Sequence, residues 1–271
     1  MGELQFTGER MVPGQTSPDT FWEHVYRYRL AMQVAPGRRV LDIACGEGYG
    51  AAALLRSGAL SVIGVDRCAE TCAHAARKYG VDARVGDAEA IPLESSSVDL
   101  VVSLETIEHV PNPAAFLAEC SRVLTPDGIL IVSSPNRDVY GAIDGVNPYH
   151  CSELTEAELL TVLAVRFTNP TVWHQHPVWA VAPSSHILAA DRTPFHGRAP
   201  GFRKLRKRLQ ILFCQHIRTE PRCTDAEALI EIILRHDPPW SRIANPFALY
   251  PAETGKSIPK YIIVAAKNNR P

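Results

Sequence analysis

The chain has 271 residues, 46% of them hydrophobic and 21% charged, which admits one large domain or a core with a sizeable appendage and excludes intrinsic disorder and fibrous repeats. Lys plus Arg number 28 against 29 Asp plus Glu, so the net charge of -1 offers no overall field to nucleic acid or anionic membrane, and neither is expected as a partner. No run of 18 apolar residues occurs, and the opening MGELQFTGERMVPG lacks the apolar stretch of a signal peptide, which predicts a soluble, cytoplasmic protein whose seven cysteines are reduced thiols.

Ser17 followed by Pro18 is a helix start, and aromatic and basic residues then interleave through Trp22, Tyr26, Arg27, Tyr28 and Arg29, predicting a helix over 18–35 that lies across the main domain. From Arg39 the pattern changes to short apolar runs bounded by Gly and Asp: RVLDIA, SVIGVD, DARVGD, VDLVVSLE and GILIVSSPN read as strands. Helices are predicted over 49–57, 69–79, 113–124 and 154–164. Buried strands separated by helices imply an α/β architecture with a parallel, doubly wound sheet. KYIIVAAK, from Lys260, adds a strand expected to run antiparallel to one near 168–173, giving a mainly parallel seven-stranded sheet.

The expected organisation is an N-terminal helical cover over 1–37, a core over 38–175, a lid or substrate-shaping insert over 176–258, and the final core strand over 259–271. The insert carries an amphipathic stretch at 226–234 and a basic one, FRKLRKRLQILF, containing Arg203, Lys204, Arg206, Lys207 and Arg208. Such a charge run is usually a solvated helix face; as a functional element it would take a phosphate-bearing substrate or RNA.

In an open parallel sheet the ligand sits beyond the carboxyl ends of the strands, so the residues there carry the functional information. The first strand runs into Asp42-Ile43-Ala44-Cys45-Gly46-Glu47-Gly48, where glycines permit a sharp turn and close approach of a ligand. Asp66 ends the second strand, where a carboxylate can accept from both hydroxyls of a ribose, and Asp87-Ala88-Glu89 follows the third, within reach of an adenine edge. Each acidic residue alone also reads as an ordinary solvated turn; their succession after three consecutive strands is the stronger signal. Gly46, Gly48 and Ala51 also satisfy the dinucleotide spacing, which raises a nicotinamide-dependent dehydrogenase. Asp42 argues against it, because a carboxylate at the loop would repel a pyrophosphate and suit an ammonium or sulfonium.

The runs VLDIACGEGYG, VIGVD, VGDAEAIP, VSLETIEHV and RVLTPDGILIVSSPN resemble the successive motifs of class I S-adenosylmethionine-dependent methyltransferases, over residues 38–172. The resemblance implies a Rossmann-like fold, an enzyme, and S-adenosylmethionine as cofactor. By it, Asp42, Ala44, Cys45, Gly46 and Gly48 would flank the methionine part, Asp66 the ribose with Arg67 beside it, Asp87 and Ala88 the adenine, and Leu104 and Glu105 the sulfonium side. GERMVPG and EHVYRYRLA further resemble a bacterial subgroup of glycan and natural-product biosynthesis, in which the first helix closes over the cofactor. Arg27 or Arg29 would then hold the methionine carboxylate. The expected reaction is methyl transfer to oxygen or nitrogen of a sugar-bearing small molecule, by a monomer or homodimer.

On the acceptor side, Glu105-Thr106-Ile107-Glu108-His109 follows the fourth strand and edges the same pocket. His109 is the candidate general base, with Glu108 beside it, because an imidazole titrates in the useful range; the alternative is a histidine that only caps the loop. Tyr149, His150 and His174 are candidate substrate residues. Glu105, Glu108, His109 and His150 also form a set able to bind Mg or Mn, similar to the metal site of small-RNA 2'-O-methyltransferases. A metal-assisted RNA 2'-O-methyltransferase and a noncatalytic S-adenosylmethionine-binding protein are the two competing functions. His176, His186 and His196 fit no zinc spacing, and Trp173, Trp179 and Trp240 are expected in packing or as apolar pocket walls.

Overall fold

The computed structural model describes residues 4, 8, 10–141, 145, 147–175, 226–235, 249–251 and 260–270. The basic stretch, Trp179, Trp240, His176, His186 and His196 lie outside them. Helix α1 (Pro18–Val34) opens with the Ser17 hydroxyl accepting from the Thr20 N–H at 3.2 Å. There follow β1 (Arg39–Ile43), α2 (Tyr49–Arg56), β2 (Ser61–Asp66), α3 (Ala69–Tyr79), β3 (Asp82–Val85) and β4 (Val98–Leu104). A 3-10 turn (Ile107–His109) leads to α4 (Pro113–Val123), capped by Asn112, and then to β5 (Leu124–Pro135). The last elements are α5 (Glu156–Leu163), β6 (Phe167–Gln175), α6 (Ala226–Arg235), β7 (Leu249–Pro251) and β8 (Tyr261–Asn268). Thr155 and Glu158 form a reciprocal capping box that starts α5 two residues later than the apolar pattern suggests.

The strands lie in the order β3-β2-β1-β4-β5-β8-β6-β7. The pairings from β3 across to β5 are parallel, while β8 runs antiparallel to β5 and β6, and β7 antiparallel to β6. The sheet is therefore mixed, and the described residues contain eight strands rather than seven. The additional strand, Leu249–Pro251, comes from the segment read as insert: it pairs with Trp173–Gln175 on the sheet edge. Three residues carry too little alternation to announce a strand.

Alternation within each strand divides two cores. Val40, Val62, Leu100, Val102, Ile131 and Ile263 face α1, α2 and α6. Leu41, Val65, Val101, Leu130, Val132 and Ile262 face α4 and α5. Leu229, Ile230 and Ile233 of α6 are buried against the first of these faces, and Arg56 of α2 pairs with Glu227, so the amphipathic stretch turns its apolar side to the core. Among the described residues no helix is long and apolar enough to cross a membrane. Consecutive strand order reverses between β1 and β4, which opens a crevice at their carboxyl ends.

Phe116, wholly buried on α4, fills the second core. Phe116→Ala is expected to cost about 3–5 kcal/mol of stability, read as a lowered urea midpoint with unchanged denaturant slope.

Candidate functional site

Beyond β1 the chain turns through Ala44, Gly46 and Gly48, all left-handed with φ of 57°, 53° and 96°. For Ala44 this conformation is strained. At Gly48 a Cβ would lie 2.6 Å from that of Ala75, so α3 packs against the loop backbone and only glycine fits. No side chain caps the N-terminus of α2, which leaves its first-turn N–H groups for a ligand. Glu47, buried within the loop, accepts from His74 Nε2 at 2.9 Å, Lys78 Nζ at 2.8 Å and Tyr79 OH at 3.3 Å, stapling the loop to α3.

Asp66 Oδ2 accepts from the Gly46 N–H at 3.0 Å, and Oδ1 from that of Cys68 at 2.9 Å. Two fixed donors orient the carboxylate and leave further lone pairs on both oxygens. The Cys45 side chain turns inward, where Gly64 makes room for its Sγ, so any ligand contact from Cys45 is through backbone. Arg67 is exposed. Asp87, also exposed, accepts from the Glu89 N–H at 2.7 Å in a local turn, and Ala88 is half-buried beside it. Leu104 is buried at the end of β4; Glu105 follows with φ of 54° and its Oε1 accepts from Ser133 Oγ at 2.6 Å.

Helix α1 brings two residues to this crevice. Arg27 is wholly buried, donates through Nη1 to Gln175 Oε1 at 2.6 Å, and lies over the Tyr261 ring at 4.4 Å. Its Nε is 4.0 Å from Glu105 Oε1, and neither Nε nor Nη2 has a hydrogen-bond partner. Burial alone would lower its pKa, but Glu105, Tyr261 and Glu23 raise it, so it stays charged. Tyr28 OH donates to both oxygens of buried Asp42, at 3.2 and 3.1 Å. Arg29 is directed elsewhere, to the Ile233 carbonyl at 2.9 Å. Of the two candidate arginines, only Arg27 faces the crevice with donors to spare. Tyr28, Glu47 and Ser133 went unassigned in the sequence; the charge on Glu47 beside the loop glycines was the one available signal.

At the edge of the crevice, the backbone carbonyl of Glu108 accepts from the N–H groups of Cys151 (2.7 Å) and Ser152 (3.0 Å), which draws the 147–153 loop onto the 3-10 turn. Glu108, His109 and His150 thereby present ligand atoms within 4.8 Å of one another. The Glu108 carboxyl is wholly buried, with no partner on either oxygen. Burial first, and the neighbouring Glu105 charge second, push its pKa well above the usual carboxylate range. Glu105 is not in this group: its left-handed backbone and its bond from Ser133 turn it toward β5. Tyr149 is exposed and contributes its carbonyl to His109, while His174 pairs with Glu156 at 2.8 Å and lies outside the group. A cavity of about 470 Å³ adjoins His150, with Arg137, Asn147, Cys151, Ser152 and Glu153 also in its wall.

Residues 41–132 match the family described as a methyltransferase domain. A probable S-adenosylmethionine-dependent methyltransferase of Mycolicibacterium smegmatis is 44% identical over 167 residues, covering 59% of this chain and 63% of the relative, so the match spans less than two thirds of that protein. A ubiquinone biosynthesis O-methyltransferase of Hahella chejuensis is 37% identical over 110 residues, 38% of this chain and 45% of that one. A solved S-adenosylmethionine-dependent methyltransferase from Thermotoga maritima superimposes over 93% of this chain and 94% of its own with a TM-score of 0.53 at 18% identity, which establishes the Rossmann-like methyltransferase fold.

Asp42 supplies a pH signature. Burial outweighs the Tyr28 hydrogen bond and, with the Asp66 charge, raises its pKa from 3.8 to about 7. The folded state thus holds the proton that the unfolded chain releases: the contribution is fully present below about pH 4 and is lost as pH rises through about 7. Asp42→Asn is expected to flatten that part of the decline, measured as urea midpoints of ligand-free protein between pH 5 and 8.

Proposed function

We propose that the chain, with a methyltransferase domain over residues 41–132, is an S-adenosylmethionine-dependent enzyme that methylates oxygen or nitrogen of a sugar-bearing small molecule in glycan or natural-product biosynthesis. The observation that carries this reading is the pair Arg27 and Asp42: a buried guanidinium on α1 with two uncommitted donors, and a buried carboxyl on β1, just before the glycine loop, held by the neighbouring Tyr28. They offer opposite charges to the carboxylate and ammonium of an amino-acid moiety, whereas a pyrophosphate would meet Asp42 unfavourably.

When bound, the cofactor supplies a methyl group already activated on a sulfonium sulfur. Asp66, oriented by two backbone donors, takes the ribose hydroxyls, and the uncapped start of α2 supports the loop side. Arg67, Asp87 and Ala88 lie on the nucleoside side, Leu104 and Glu105 on the sulfonium side. Glu108 and His109 serve the acceptor, with Tyr149 and His150 at its entrance. A cavity of about 470 Å³ walled by groups of both charges and by hydroxyl and amide groups suits a polyhydroxylated acceptor. The opening GERMVPG, which resembles the glycan and natural-product subgroup, supports the sugar-bearing assignment.

The test is thermal unfolding with S-adenosylmethionine, S-adenosylhomocysteine, methylthioadenosine and NADH. A ligand at about 100 times its Kd adds roughly 2.7 kcal/mol, a shift of several degrees at this size. The three sulfur nucleosides are expected to stabilise and NADH is not; stabilisation by NADH alone would reassign the loop to a dinucleotide. Arg27→Lys is expected to weaken S-adenosylhomocysteine about 10-fold or more, the scale of hydrogen bonds to a charged group, and to leave methylthioadenosine, which lacks the amino-acid part, unchanged.

A further inference from the structure

On the nucleoside side of the crevice, residues 86–97 pass from β3 to β4 as neither helix nor strand, and Asp87 has to be aimed from this loop. The Ala90 N–H donates to the Asp87 carbonyl at 3.1 Å and the Glu89 N–H to Asp87 Oδ1 at 2.7 Å, so residues 87–90 form one hydrogen-bonded turn. Its entry is tied to the ribose side, because the Gly86 N–H donates to the Asp66 carbonyl at 3.0 Å. Its exit folds back over that entry: a Cβ at Gly86 would lie 2.5 Å from Pro92 Cδ.

What grips the stem of this turn comes from α4, 28 positions further along the chain. Arg122 and Glu119 are joined there by two bonds, Nε to Oε1 and Nη2 to Oε2, both 2.7 Å, a guanidinium fork on a carboxylate. A partly exposed pair at this spacing contributes little to stability by itself. Here it also takes three backbone groups of the loop. Glu119 Oε2 accepts from the Ile91 N–H at 2.8 Å, Arg122 Nη2 donates to the Ile91 carbonyl at 2.9 Å, and Nη1 donates to the Leu93 carbonyl at 2.8 Å. Ile91 directly follows the turn and is buried in the second core, so both polar groups of the stem residue are held by one ion pair. The bond from Arg122 keeps the Glu119 carboxyl below the usual carboxylate range, so the pair stays charged. A second grip lies just before α4, where Glu89 Oε1 accepts from the Asn112 N–H at 2.7 Å.

We propose that Glu119 and Arg122 are positioning residues for purine discrimination: by fixing the peptide groups of Ile91 they aim Asp87 at the exocyclic amine of the cofactor's base. A carboxylate selects that amine because it can only accept, whereas a 6-oxo purine would turn an acceptor oxygen toward it and leave both unpaired. Such selection depends on direction, and a group has to be held within roughly 0.5 Å and 10–20° to exert it. Asp87 is exposed on a loop without regular structure, so the α4 fork supplies the rigidity that the loop lacks. The two ends of the cofactor are thus served by different helices, the amino-acid end by α1 and the purine by α4. The proposal rests on the methyltransferase reading and assigns the base preference to residues outside the crevice loops.

The experiment measures, by titration calorimetry on the full chain, the Kd of S-adenosylhomocysteine and of S-inosylhomocysteine, its deaminated analogue with a 6-oxo purine. The parent chain is expected to prefer the amine by about 10-fold or more. Arg122→Lys keeps the charge and loses the fork, and Glu119→Gln keeps the shape and loses the charge. Each is expected to shrink that preference about 3-fold or more, through weaker binding of S-adenosylhomocysteine. Phe116→Leu, a milder loss of packing on the same helix that leaves the bonds to Ile91 in place, is expected to lower the urea midpoint and keep the preference, which separates aim from general stability. Should a pair variant fail to fold, Glu89→Gln loosens the second grip and is expected to shrink the preference in the same direction. An unchanged preference in the folded variants, or an equal fall in Phe116→Leu, would overturn the positioning role. A parent chain that binds the two nucleosides equally would overturn the recognition of the amine. A parent chain that binds neither would instead count against the methyltransferase reading, and the proposal would fall with it.

Discussion

The site depends on one close approach, the ring of Tyr28 over Gly50. A Cβ at Gly50 would fall 2.0 Å from that ring, so the absence of a side chain on α2 is what lets α1 settle over the loop. From there Tyr28 reaches Asp42, Arg27 reaches Gln175, and Glu23 meets Lys260 Nζ at 3.3 Å, joining β1, β6 and β8 to one helix. Each of these polar groups is buried and would be costly unpaired, so the helix is held in register as well as in contact. Gln175 fixes this further by donating to the Glu23 carbonyl at 3.2 Å.

Two electrostatic compartments result, separated by β4 and its continuation. On the loop side the charges are opposite and mostly satisfied, with donors left over on Arg27. On the acceptor side they are acidic and imidazole, with both carboxyl oxygens of Glu108 left without a hydrogen-bond partner. Glu105 and Ser133 stand between, and the left-handed residue at 105 is the bend that sends consecutive acidic side chains to different places. That a strained backbone residue occurs here and at Ala44, both at strand ends lining the crevice, fits the tendency of strain to collect where ligands are handled.

The parallel half of the sheet was legible because its strands are short apolar runs bounded by Gly and Asp, with helical stretches between them. The last strand was legible from its apolar run Tyr261-Ile262-Ile263-Val264-Ala265-Ala266. β7 was not, since three residues show no period, and the packing of α6 was not, since amphipathicity says that a face will be buried without saying against what. At the site, spacing put Glu105 and Glu108 together, and backbone conformation takes them apart. The meeting of His109 with His150 hangs on two N–H groups reaching the Glu108 carbonyl across some forty residues, which no local pattern records. His174 sat in a plausible place by strand register and is claimed by Glu156, a partner from the preceding helix.

One backbone bond bears on how this scaffold can vary. The Lys260 N–H donates to the Gln175 carbonyl at 3.0 Å, which ties the end of β6 to the residue that precedes β8. A chain that departs and returns at one place makes no demand on the length of what lies between, because closure entropy grows only slowly with loop size. Gln175 and Lys260 are also the residues that grip α1, so the two ends of the excursion are anchored by the cofactor side of the molecule. The constraint on the stretch between comes instead from α6, buried against the first core, and β7, paired with β6, which any exchange would have to keep.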